Sequence, residues 1–428
     1  MVGDVAQPGH VTPRAGGGNR HVLIIVQNLP VPFDRRVWLE CQTLVEAGWK
    51  VSVVCPKGKG DPRHHVEGGV EIFKYQPYPP TQRKAGFIAE YAYSFAMTAW
   101  LSTKVWRRDR FTVMQACNPP DIFWPLALLF RALGGTQFVF DQHDLCPEVY
   151  ESRFADRASL PYRGLRFLER CTYRAADHVI STNESYRLKA IERGGKVPSD
   201  ITVVRTGPDA DRLRAQPPEP PLRRGRSFLV AYLGVMGPQD GVDLVLQVAD
   251  FIVHRLGRSD VSFALMGTGD CFDDLVALRD ELDLVDYVEF TGRVPDDTVF
   301  SVLSTADVGL SPDPKNPLND VSTMNKTMEY MAFGLPVVAF DLVETRVSAG
   351  EAGVYAEPND VAAFATALSE LLDDEPRRRS MGHAGRERVE TKLAWRHQRG
   401  AYRDVYEQLV GHGVGGQPVR GAAPSGRG

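Results

Sequence analysis

Lys326 and Glu329 stand three residues apart in the segment Asn325-Lys326-Thr327-Met328-Glu329-Tyr330-Met331-Ala332-Phe333-Gly334-Leu335-Pro336-Val337-Val338. On a helix, such an i, i+3 pair shares one face. A carboxylate there can accept two hydroxyls of a ribose, and a lysine one turn earlier can neutralise a diphosphate. The helix N-terminus adds unpaired N–H groups for an anion. Gly334 predicts the end of the helix, and Pro336 the entry to the next strand. The same pair equally suits an ordinary Lys–Glu contact on a solvent-facing helix.

His143 follows a predicted strand at 138–140, which puts it at the carboxyl edge of a sheet. An imidazole there can hydrogen-bond a substrate hydroxyl or relay a proton; it can also be a loop residue oriented by Asp141 or Asp144. Asp144 and Glu148 are neighbouring carboxylates. Asp34, Arg35 and Arg36 follow the first predicted strand. An arginine there can reach a phosphate, whereas Asp34 also suits a helix N-cap. Asp209-Ala210-Asp211 spells a D-x-D. That pattern is frequent by chance and opens a linker, so no metal is assigned to it. His64 and His65 are expected in a solvated loop.

These residues need elements to position them. His21–Gln27 is a β-branched apolar run of the kind that parallel sheets bury on both faces. A helix follows from about 34 to 47, then a strand at 51–55. Further strands are expected at 112–116, 137–140, 178–182 and 201–205, with helices near 86–108, 120–133, 159–175 and 184–193. The rhythm breaks at 208–227, a stretch rich in proline and charge, and restarts at Phe228. Strands alternating with helices predict right-handed βαβ units and parallel sheets. The fold class expected is α/β, with two doubly wound Rossmann-like domains facing a cleft, because open parallel sheets bind ligands at the carboxyl ends of their strands. The expected divisions are a disordered tail over 1–20, a first domain over 21–207, a linker over 208–227 and a second domain over 228–393. A last helix over 394–412 can pack back on the first domain, before a disordered tail over 413–428.

At 428 residues, two to three domains are expected. Apolar residues at 43% and charged residues at 24% exclude a mostly disordered chain. Fifty basic against 54 acidic residues, a net charge of -4, leave no basic footprint for nucleic acid. The six cysteines are scattered with no C-x-x-C pair, which predicts reduced, buried thiols and a cytoplasmic protein. No secretory leader or membrane-spanning run is expected.

The Asn325–Val338 segment resembles the donor-binding motif of the family 4 glycosyltransferases, retaining enzymes of the GT-B fold. The resemblance continues through Phe33-Asp34-Arg35-Arg36-Val37 with Glu40, and through Val203–Asp209, Tyr232-Leu233-Gly234 with Gly241-Val242-Asp243, Met266-Gly267-Thr268-Gly269 and Phe290-Thr291-Gly292. Asn118-Pro119-Pro120-Asp121 and Phe140–Asp144 with Pro147-Glu148 look like a bacterial subgroup that builds cell-envelope polysaccharides. Together these motifs cover about residues 21–410.

The resemblance implies transfer of a hexosyl or N-acetylhexosaminyl group from a nucleotide-diphospho-sugar to a glycan or lipid-linked acceptor. It implies no cofactor or metal. Glu329, Gly234, Gly267, Thr268 and Asn325 would bind the donor, and His143, Lys326 and Arg293 would serve catalysis. Asp34, Arg36, Asp144 and Glu148 would lie on the acceptor side. A lipid-linked acceptor would bring the amphipathic stretch Gly86–Trp106 against the inner membrane face. Two departures stand out. Many relatives carry E-x7-E, but Val321 holds the first position; the usual basic pair is replaced by Val235 and Asp240. A sugar-nucleotide epimerase, which can share this architecture, is one alternative; a non-catalytic partner subunit, which the departures allow, is another.

Overall fold

The computed structural model describes residues 19–79, 84–154, 156–210 and 212–412. The expected terminal tails, apart from residues 19 and 20, lie outside the described residues, as does Asp211 of the D-x-D.

The first domain is one eight-stranded sheet. Its strands are β1 (His21–Ile25), β2 (Lys50–Pro56), β3 (His64–Glu67), β4 (Val70–Tyr75), β5 (Val113–Cys117), β6 (Gln137–Gln142), β7 (His178–Ser181) and β8 (Ile201–Val203), in the order 3-4-2-1-5-6-7-8. All pairings are parallel except β3 with β4. His64 and His65 therefore sit in an edge strand, not in a loop. His64 Nε2 lies 2.9 Å from Glu71 Oε1 and its ring stacks on Phe73. The helices are α1 (Arg35–Glu46), α2 (Lys84–Arg108), α3 (Trp124–Gly134), α4 (Cys146–Phe154), α5 (Leu160–Ala175) and α6 (Glu184–Gly194).

The second domain is a wholly parallel six-stranded sheet. Its strands are β9 (Phe228–Leu233), β10 (Val261–Met266), β11 (Val288–Gly292), β12 (Val308–Ser311), β13 (Val337–Phe340) and β14 (Gly353–Ala356), in the order 11-10-9-12-13-14. Its helices are α7 (Val242–Asp250), α8 (Phe272–Glu281), α9 (Asp296–Thr305), α10 (Asn325–Ala332), α11 (Val343–Ala349), α12 (Val361–Asp373) and α13 (Glu375–Arg388). A final helix, α14 (Trp395–His412), follows.

Each sheet is buried on both faces. In the first domain, α1 and α14 cover one face, where Val22, Ile24 and Val53 meet Trp395 and Tyr402. On the other, α2, α3 and α5 meet Leu23, Phe138 and Phe140. The last helix thus belongs spatially to the first sheet, and Trp395 Nε1 donates to Thr43 Oγ1 at 3.0 Å. The expected linker packs on α9: Leu213 is buried, and the Gln216 and Glu219 amides bond Ser304 and Thr305.

The chain crosses between domains twice, at 207–208 and 393–395. The crossings touch, with the Trp395 amide donating to the Pro208 carbonyl at 3.0 Å. A Cβ on Gly207 would stand 2.2 Å from the Leu393 carbonyl oxygen, so no larger residue fits. Among the described residues no helix is long and apolar enough to cross a membrane.

Candidate active site at the facing sheet edges

The second domain supplies a laced edge. After β9 the Gly234 amide donates to the Met266 carbonyl at 3.0 Å, and after β10 the Gly267 amide donates to the Gly292 carbonyl at 3.0 Å. Gly267 has φ +141°, and a Cβ there would lie 1.8 Å from the Gly234 oxygen. Only glycine permits this approach of two loops. Exposed Thr268 accepts through its carbonyl from the Met236 amide at 3.1 Å. Asp240 folds back on its own loop to accept from the Gly237 amide.

Helix α10 opens on the same edge, with Asn325 exposed as its first residue. Lys326 and Glu329 turn to different sides instead of presenting one common face, which the i, i+3 spacing had suggested. Lys326 turns inward, 9% exposed, and its Nζ lies 2.6 Å from Asp313 Oδ1, with Tyr232 beneath it. Burial works against the ammonium charge, but Asp313 and Asp240 outweigh it and hold its pKa above the usual value. Asp313 follows β12, and nothing about its place in the sequence singled it out.

Glu329 turns toward the first domain. Its Oε1 lies 3.4 Å from Arg35 Nη1, while Arg35 Nη2 lies 2.6 Å from Asp296, which Arg212 also contacts. Arg35, Asp296 and Glu329 border a small cavity of about 80 Å³, lined also by Leu213, Leu233, Phe300 and Phe333. Burial raises the Glu329 pKa, opposed by Arg35 and Arg212. The exposed Arg293 guanidinium also crosses the domain boundary, its carbon 4.2 Å from the centre of the Phe33 ring.

The first domain supplies a buried polar network. Asp34 is the N-cap of α1, accepting from the Val37 amide at 3.1 Å. Arg36 is buried: it reaches Asp141 at 3.0 Å, the Val204 carbonyl at 2.9 Å and Thr206 at 3.0 Å. Neither is free to meet an acceptor or a phosphate, so both leave the acceptor-side set. The exposed cation is Arg35, one residue earlier and so about 100° around the helix.

Two buried carboxylates, Glu40 and Asp141, share the Arg36 guanidinium, with Arg36 Nε 3.0 Å from Glu40 Oε1. Burial and Asp141 push Glu40 well above the usual carboxylate range. Burial opposes ionisation of Asp141 as well, but Arg36 and His143 hold its carboxyl well below that range. Two like charges this close do not both ionise, and Asp141 keeps the charge. Glu40, Cys117, Asp141 and His143 bring donor atoms within 4.8 Å of one another. Arg36 contacts three of the four, so a guanidinium already supplies the positive charge that a metal would bring.

His143, 14% exposed, places Nε2 2.7 Å from Asp141 Oδ2. Asn118 fixes its loop, accepting from the His143 and Asp144 amides at 2.7 and 3.1 Å. Burial raises the Asp144 pKa, opposed by His143. Glu148 is locked to Arg193 at 2.6 Å through one oxygen, which leaves it less reach than the sequence reading gave it. The network extends to the last helix through Gln115, which donates to Glu40 and Asp141 and accepts from Tyr402.

Arg36 and Arg35 join the halves. Arg36 Nε lies 3.1 Å from His143 Nε2, and Arg35 touches Glu329, so one helical turn spans from the first domain's histidine to the second domain's carboxylate. A second seam lies at 318–323. Asn183 Nδ2 donates to the Val321 carbonyl at 2.9 Å, and Val321 packs with Leu145, Tyr186 and Leu318. A carboxylate at 321 would have to be desolvated among apolar groups.

Two family profiles match the chain: "Glycosyl transferase 4-like domain" over residues 34–207 and "Glycosyl transferases group 1" over 227–374. The 2-deoxystreptamine glucosyltransferase of Streptomyces kanamyceticus is 27% identical over 257 residues, 57% of this chain and 64% of that protein. The GDP-mannose-dependent alpha-(1-6)-phosphatidylinositol monomannoside mannosyltransferase of Mycolicibacterium smegmatis is 30% identical over 200 residues, 44% of this chain and 52% of that protein. The chain thus spans less than two thirds of the length of these curated relatives. Among solved structures, sucrose-phosphate synthase from Thermosynechococcus elongatus superposes with a TM-score of 0.74 at 18% identity, covering 92% of this chain and 100% of that one. HepE of Anabaena, solved with UDP-glucose, gives 0.66 at 15% identity over 91% and 99%. Two parallel α/β domains, the matched profiles over both of them and this shared architecture make the chain a member of the family 4 glycosyltransferases, with the GT-B fold.

Proposed function

We propose that the protein transfers a hexosyl or N-acetylhexosaminyl group from a nucleotide-diphospho-sugar to a hydroxyl of a glycan or lipid-linked glycan, with retention at the anomeric carbon and without a metal ion. The observation that carries this reading is the position of Glu329, on the first turns of α10 at the carboxyl edge of the second sheet, opposite Arg35 of the first domain.

In this reading Glu329 accepts the ribose hydroxyls, and the loops at Gly234 and Gly267–Thr268 admit the base and diphosphate closely. Arg293 and Arg35 are the exposed cations for the diphosphate, and Arg35 exchanges Glu329 for it as the donor enters. Lys326, held by Asp313, lies behind the same edge and partly offsets the Asp313 and Asp240 charges there. Stabilising the charge that develops on a leaving group is usually the largest catalytic contribution. His143, held by Asp141, handles the acceptor hydroxyl, which attacks from the leaving-group side. The names of the similar proteins, which refer to GDP-mannose and UDP-glucose, support a nucleotide-diphospho-sugar donor. The reaction would run on the cytoplasmic side of the membrane.

The test is release of nucleoside diphosphate from a panel of such donors. Release that requires both a glycan acceptor and Glu329 supports the reading; release from no donor with any acceptor overturns it.

A further inference from the structure

The outer side of α5 combines features that a water-facing helix rarely carries together. Leu160 is 80% exposed and Phe167 63%. Arg163, Arg170 and Arg174 are exposed with them, at helical spacings of three, four and seven that share one face. The only carboxylate of α5, Glu169, turns inward to Arg193 at 2.6 Å. Among the described residues, none of those three arginines has a carboxylate partner. Helix α3 packs beside α5 and exposes Leu128, Leu129 and Leu133. Exposed apolar side chains on two helices that pack together are a feature of interaction surfaces.

The sequence placed membrane contact on the 86–106 helix. In the structure Leu101 and Val105 of that helix are buried and Trp106 packs on Phe130, which leaves Trp100, 59% exposed, as its most exposed large apolar side chain among the described ones.

We propose that the α3–α5 face docks on an anionic lipid bilayer, with Leu160, Phe167 and the α3 leucines entering the headgroup region and the arginines pairing with lipid phosphates. Charge complementarity favours this partner: unpaired cations surround protruding apolar groups, as in interfacial helices. Both helices begin at the carboxyl edge of the first sheet, the edge that carries His143. A docked bilayer would therefore lie beside the acceptor side of the site. The docking itself does not depend on the sugar-transfer reading.

The test is co-sedimentation of the full chain with phosphatidylglycerol–phosphatidylcholine vesicles and with pure phosphatidylcholine vesicles. Binding is expected to the anionic vesicles and to weaken with salt. Phe167→Glu should lower it by at least about tenfold, and each of Arg163→Gln, Arg170→Gln and Arg174→Gln by about fivefold. Thermal unfolding should not change, because the residues are exposed. No binding to anionic vesicles would overturn the proposal. So would binding that survives all four substitutions together, or sedimentation showing that Phe167→Glu instead breaks up a dimer.

Discussion

Arg35 Nη1 and Glu329 Oε1 meet at 3.4 Å although 294 residues separate them, one from the first turn of α1 and the other from α10. The contact joins the two domains at the edge where both sheets end. Arg35 is half exposed and also holds Asp296, so it is a movable cation between two carboxylates. Replacing Arg35 with alanine should lower kcat/KM by about 10²-fold, as for loss of one donor to a leaving group. Unchanged steady-state kinetics in a folded variant would reduce the contact to a surface ion pair.

Glu329→Ala should weaken nucleotide-sugar binding by roughly 10- to 100-fold, the value of hydrogen bonds to a charged acceptor. Isothermal calorimetry reads this directly. Equal affinity in the two proteins would remove Glu329 from the donor site.

His143→Ala should lower kcat by about 10²–10⁴ if the imidazole handles the acceptor proton. The variant should stay folded, because Arg36 still neutralises Asp141 at 3.0 Å. A kcat close to wild type in single-turnover experiments would leave His143 only a loop-orienting part.

Lys326→Ala leaves Asp313 buried without its partner. Removing one member of a buried pair costs about 3–5 kcal/mol. Lys326→Met combined with Asp313→Asn removes both charges and should cost clearly less. Urea unfolding of the two variants compares them; equal losses would mean the pair does not hold this edge together.

Burial pushes the Asp121 carboxyl up to about 6. Between about pH 4 and 6 the folded chain keeps this proton while the unfolded chain has released it. The resulting stability is full below about pH 4 and is lost as pH rises through about 6. Asp121→Asn should therefore flatten that fall and be more stable than wild type at pH 7, by on the order of 1–3 kcal/mol. Parallel stability–pH curves for the two proteins would contradict the assignment.

Periodicity and strand–helix alternation made both parallel sheets legible, because βαβ units are local patterns. The β3–β4 hairpin was not, since its edge strand carries exposed histidines where buried strands carry valine and isoleucine. At the site, the glycines after β9 and β10 were readable because close backbone approach demands that residue type. The division of labour between Arg35 and Arg36 was not: adjacent arginines are chemically identical, and only rotation about α1 sends one to Glu329 and buries the other with Asp141. Asp313 was invisible for a related reason. Its importance comes from Lys326 folding back 13 residues to meet it, a contact that depends on tertiary packing.

The most direct test of a donor site at Glu329 is a thermal-shift series with nucleotide-diphospho-sugars on wild type and Glu329→Ala. A ligand at 100 times its Kd adds about 2.7 kcal/mol of stability. At least one sugar nucleotide should raise the wild-type Tm and leave the variant's Tm almost unmoved. Equal shifts in both proteins, or none in wild type across uridine, guanosine and adenosine donors, would contradict the account.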